Sequence, residues 1–164
     1  MDIIDRYFWF ISGAVALLNV LIWRSRLKRL VERGRVSQAE ADAFVRGSAV
    51  VIGAASVALG VVALIVPASP RCLRPFDFSD AGSAATSTVI LMLWVALLTW
   101  VWRGGGATFL GRASSVFMNT AVVDTEYSPT VVRLFVTGLV ALSGFGAFVV
   151  SQGMPTAVGC AGAG

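Results

Sequence analysis

Four groups of residues carry chemistry-capable side chains. Cys72 and Cys160 are the two cysteines of the chain and could form one disulfide. Asp77 with Asp80, and Asp124 with Glu126, are closely spaced acids of the kind that serve as paired carboxylates. The run Arg103-Gly104-Gly105-Gly106-Ala107-Thr108 places three glycines beside a cation, as a phosphate-cradling loop would. Arg24, Arg26, Lys28, Arg29, Arg33 and Arg35 crowd six cations into twelve positions, a candidate contact for anionic lipid or an acidic partner.

Most of these possibilities weaken on inspection. Histidine is absent, which removes the usual base of a Ser–His or Cys–His nucleophile and the commonest metal ligand. Two cysteines without histidine cannot build a zinc site. There is no Cys-x-x-Cys redox pair. The glycine run lacks the Gly-Lys-Ser/Thr ending and the preceding strand of a phosphate loop. Carboxylate pairs in loops are mostly solvated or act as caps, so a lipid- or envelope-maintenance enzyme built on them ranks last. The expectation is therefore a non-enzyme with no catalytic residue, no metal and no cofactor. No basic stripe interleaved with stacking aromatics points to nucleic acid, and none is expected as a partner.

The elements that carry these residues follow from composition. Of 164 residues 57% are hydrophobic and 13% charged, with a mean hydropathy of +0.81. A soluble domain carries about 25% charged residues. Disordered chains are more polar than this, and disulfide-rich secreted domains hold more cysteine. Four apolar stretches have the length of about 17–25 residues that a membrane-crossing helix needs: residues 7–23, 48–66, 86–102 and 130–150. None alternates as a barrel strand does, and none carries the polar stripe of a helix in a soluble bundle. Tyr7, Trp9, Trp23, Trp100 and Trp102 stand near their ends, where amphipathic rings favour the interface. Trp94 falls inside a stretch and reads as a lipid or packing residue. The expected fold class is all-α: a polytopic membrane protein, a four-transmembrane-helix bundle forming one domain over residues 1–164, extended by a cytoplasmic helical hairpin at 24–47.

Orientation follows from the basic residues. Seven of the thirteen lie in the 24–47 connection, and short Lys/Arg-rich loops stay on the cytoplasmic side. With that loop inside, the inner side holds ten basic and five acidic residues, and the outer side three and four. Both termini then lie outside a plasma (inner) membrane. The loop at 67–85 and the tail at 152–164 are outer, and the connection at 104–129 is inner. The basic residues follow the first apolar stretch rather than precede it, which argues against a cleaved signal peptide. Cys72 and Cys160 share the outer side, where disulfides persist. A bond would close a loop of nearly ninety residues and contribute on the order of a few kcal/mol; two unrelated thiols are the alternative.

Local signals refine the connections. Leu27, Leu30 and Val31 share a helical face, and Gly34 stands where a left-handed cap is wanted. Ser37-Gln38-Ala39-Glu40 reads as a capping box. One helix is therefore expected to run to about Arg33 and a second to start at Gln38. This pattern, from Leu27 to Phe44, resembles the short helical hairpins appended to many membrane proteins, and hairpin chemistry alone accounts for it. Ser128-Pro129 reads as a helix start. The apolar part of the 104–129 connection is expected along the membrane surface or against a partner. Arg133 is expected to snorkel to the inner interface.

Small residues at spacings suited to close helix approach recur at Ala49, Gly53, Ser56 and Gly60, and at Gly138, Ala141, Gly144 and Ala147. The second and fourth spans are expected to touch each other or a neighbouring subunit. No acid lies within a span, which argues against a coupled transporter. The expected function is a non-catalytic accessory or scaffold subunit of a larger integral-membrane assembly, with membrane lipids and other membrane subunits, or copies of itself, as partners. The alternative is a passive channel or pore-forming homo-oligomer, including a membrane-disrupting effector, lined by Thr88, Thr99, Thr137 and Ser143.

Overall fold

A computed structural model describes residues 3–65, 76, 78, 81–114 and 126–153. Within them the chain is helical: α1 (Ile3–Glu32), α2 (Gln38–Ile65), α3 (Ala81–Trp102), α4 (Gly106–Arg112) and α5 (Pro129–Gly153). Four of these, α1, α2, α3 and α5, are long and apolar enough to cross a membrane, which suggests a multi-pass membrane protein. At about 1.5 Å per residue, α1 and α2 reach about 45 and 42 Å, against about 30 Å of bilayer hydrocarbon. Their excess turns build the hairpin.

The hairpin closes through local chemistry. Gly34 takes φ +70°, a left-handed conformation suited to a residue without Cβ. Its N–H donates to the Val31 carbonyl at 2.9 Å, and the Arg35 N–H donates to Leu30 at 3.0 Å. This is the two-bond Schellman closure, and it satisfies carbonyls that a helix end leaves orphaned. The Glu40 N–H then donates to Ser37 Oγ at 3.2 Å, while the Ser37 N–H donates to Glu40 Oε2 at 2.9 Å. The expected capping box is present, and the expected helix ends near Arg33 and Gln38 agree with the structure.

The long helices form an open row. α1 packs on α2, α2 on α3, and α3 on α5; α4 packs on α3 and α5. Among the described residues no α1–α5 packing closes a ring, and α2 and α5 are not packing partners. The two small-residue faces are used differently. Gly60 accepts the Phe10 ring and Ser56 lies against Gly13, both on α1, while Gly144 receives Trp94 of α3, whose ring a Cβ there would meet at 3.3 Å. Gly53, Gly138 and Gly146 face open space. The second and fourth spans therefore do not pair within the chain, because Phe10 and Trp94 fill the close-approach sites first.

The most apolar segments are not the most buried. Only 6–17% of each long helix's apolar window is buried inside the chain. The largest buried cluster lies at the hairpin end: Leu27, Leu30, Val36, Ala41, Phe109 and Ala113. α4 and the residue after it supply the last two by folding back after Trp102. Gly105, at φ +76°, makes that reversal, and Gly104 and Gly106 sit so close to the Trp100 ring that a Cβ would come within 2.9 and 2.6 Å of it. Gly111 lies against the Tyr127 carbonyl, and the Tyr127 N–H donates to the Gly111 carbonyl at 3.3 Å. Gly111→Ala should therefore force backbone apart and lower the thermal midpoint by several degrees, read by tryptophan fluorescence in detergent. Gly138→Ala, in open space, should leave it unchanged.

Candidate functional site

The basic hairpin is the region where the sequence-derived candidates converge. Its inner face is dry. Phe44 stacks on Phe109 with centroids 4.9 Å apart and planes 28° apart, and meets Trp100 at 5.7 Å and Trp23 at 6.0 Å. Trp100 is half-buried among Phe44, Phe109, Gly104 and Gly106. The apolar part of the 104–129 connection was expected on the membrane surface or on a partner. Its described part, α4, docks on the chain's own hairpin, because Phe109 and Ala113 complete the cluster that Leu27 and Leu30 begin.

Charge holds the same contact from outside. Arg112 Nη2 donates to Glu40 Oε1 at 2.5 Å. Arg35 Nη2 lies 3.3 Å from Glu126 Oε1. Each connection thus gives the other one cation and one anion. Glu40 lies in the polar first turn of α2, outside the apolar stretch. Hydrogen bonds from the Ser37 backbone and hydroxyl, then the Arg112 guanidinium, lower its pKa from 4.5 to about 2. Both pairs are partly solvated, and pairs of this kind contribute about 0.2–1 kcal/mol each. The aromatic cluster contributes more, since truncating a buried Phe costs about 3–5 kcal/mol.

The six basic candidates stand in different surroundings. Arg35 is paired with Glu126. Arg24 and Lys28 are one helical turn apart and border a groove of about 400 Å³ between α1 and α2. Arg29 and Arg33 are exposed outside it. Arg26 is half-buried. Further along the chain, the Arg133 guanidinium sits over the Trp102 ring at 5.6 Å, and Trp102 Nε1–H donates to Thr137 Oγ1 at 3.2 Å.

Cys72, Cys160, Asp77, Asp80 and Asp124 lie outside the described residues. Among the described residues no three His, Cys, Asp or Glu side chains gather as metal ligands. Thr88 and Ser143 turn their hydroxyls onto carbonyls of their own helices, at 2.8 and 2.7 Å. At the opposite end from the hairpin, buried Ser87 donates to the Ser83 carbonyl at 2.7 Å and accepts the Phe76 N–H at 2.8 Å. The groove and the α4 docking were both missed from sequence. The i, i+4 spacing of Arg24 and Lys28 was a visible hint of the first, and the Phe109–Ala113 spacing of the second.

Comparison with protein-family models, with curated proteins and with solved structures finds no match.

Phe109→Ala should release α4, seen as faster protease cleavage within 104–129 and a red-shifted tryptophan emission. A Glu40/Arg112 double-mutant cycle should give a coupling of about 0.2–1 kcal/mol. The sign of the pH effect follows from the lowered Glu40 pKa. Its contribution is complete above the ordinary value of 4.5 and fades as pH falls toward about 2. α4 release by acid should therefore lose a component between those values in Glu40→Gln.

Proposed function

We propose that the chain is a non-catalytic scaffold or accessory subunit of an integral-membrane assembly, packing laterally through its helix faces. The observation that carries this reading is the open helix row. Its ends, α1 and α5, are not closed on each other among the described residues, and the Gly53, Gly138 and Gly146 surfaces are unfilled. Asn19 adds support: it is exposed within the apolar part of α1, and among the described residues its amide has no partner. In hydrocarbon such an amide seeks an interhelical hydrogen bond, and small residues admit close helix approach.

The reading includes insertion in a plasma (inner) membrane with the hairpin inside and both termini outside, as a four-span bundle completed by its neighbours. The ten-to-three partition of basic residues supports that orientation. The contact between the 24–47 and 104–129 connections supports their lying on one common side.

The assembly is tested by mild-detergent extraction with sizing and cross-linking mass spectrometry. The expected result is a particle larger than one chain, reduced toward the monomer by Asn19→Leu or Gly138→Leu at unchanged helix content. A folded chain that runs strictly as a monomer would overturn the proposal, and single-channel conductance from purified protein would replace it with a pore. Orientation is read with an impermeant maleimide after reduction. Cys72 and Cys160 should label on intact cells, and an introduced Gln38→Cys only after lysis.

A further inference from the structure

We infer that the groove between α1 and α2 at the hairpin end is a binding site for one anionic phospholipid, with Arg24 and Lys28 as its headgroup ligands. The inference rests on the proposed membrane insertion and deepens it, selecting two of the six clustered cations.

The groove straddles the boundary between apolar and charged sequence. Residues 7–23 carry no charge, and Arg24 is the first cation after them. Leu21 lines the groove on the apolar side of that boundary, and Lys28 lines it one turn beyond Arg24. Positions 21, 24 and 28 share one helical face, so an apolar strip passes directly into two cations. The α2 wall adds Val45 and, further out, Asp42.

Charge decides the class of occupant. Arg24 and Lys28 are both exposed, and among the described residues neither has an ion-pair or hydrogen-bond partner. Asp42 opposes them, but its carboxylate already accepts the Gln38 amide at 2.9 Å. Two cations against one anion leave a positive mouth over an apolar floor. An acidic peptide would satisfy the cations and not the floor. A free phosphate would satisfy the cations and leave the floor exposed to water. A phosphate ester carrying an acyl chain satisfies both, and basic pockets between helices at this depth suit such headgroups. Arg24 can present a bidentate fork to a phosphate, while Lys28 acts as a point charge.

The test uses the full chain in nanodiscs of equimolar phosphatidylcholine and phosphatidylglycerol, with retained lipid counted by native mass spectrometry. Membrane insertion is checked first by carbonate extraction, so failure of that reading is seen separately. One phosphatidylglycerol per chain should be retained in preference to phosphatidylcholine. Arg24→Gln with Lys28→Gln should reduce that preference by about tenfold or more, given about 1 kcal/mol per cation near an anionic surface. Arg29→Gln with Arg33→Gln removes equal charge outside the groove and should leave it unchanged, while Asp42→Asn should strengthen it. Circular dichroism confirms that each variant is folded. Three results would overturn the inference: no anionic preference, equal loss in both double variants, or full competition by soluble glycerol phosphate.

Discussion

The packing of Phe109 against Phe44 and Trp100 is the contact on which the described structure turns. Helices as apolar as α1, α2, α3 and α5 would gain little from burying one another in hydrocarbon, where lipid tails are equally apolar, and their mutual burial is slight. The chain instead gathers its largest dry cluster at the hairpin end, beyond the first long helix's apolar stretch. There α4 connects the hairpin to the start of α5, using residues from both halves of the chain. The glycines at 104–106 matter because they allow α3 to reverse around Trp100 and deliver Phe109 to that site.

Electrostatics at this end follow from the packing. Once α4 is docked, Arg112 reaches Glu40 and Arg35 reaches Glu126, so two cations are engaged internally. Arg24 and Lys28 remain turned to the α1–α2 groove. A run of basic residues that a charge count treats as uniform is thus divided by the fold. Arg35 pairs with Glu126, Arg24 and Lys28 border the α1–α2 groove, Arg26 is half-buried, and Arg29 and Arg33 are exposed. Glu40 serves twice: one carboxylate oxygen closes the capping box and the other receives Arg112.

The open row and the hairpin end are complementary in the proposed role. A rigid, internally cross-braced end would hold the long helices in a set order, while their outer faces remain available to neighbours. Asn19 and the unfilled glycine surfaces lie on those faces. The small-residue pattern suggests that the second and fourth spans meet each other or a neighbouring subunit. Within the chain Phe10 and Trp94 occupy two of the close-approach sites, packing from α1 and α3.

What the sequence by itself determined is the local and the compositional. The four long apolar helices, the Schellman turn at Gly34, the Ser37–Glu40 capping box and the helix start at Ser128-Pro129 depend on neighbouring residues, so their signals survive in linear order. The basic cluster was equally plain as a set of charges. The tertiary structure alone decided which of those charges are neutralised and which face the groove, because Arg35 and its partner Glu126 are 91 positions apart. It alone decided that Trp100 packs on Phe44 and Phe109, that α4 docks on its own hairpin, and that the helix row is open. Those outcomes depend on which side chain reaches a shared space first, a competition between distant segments that no local pattern records.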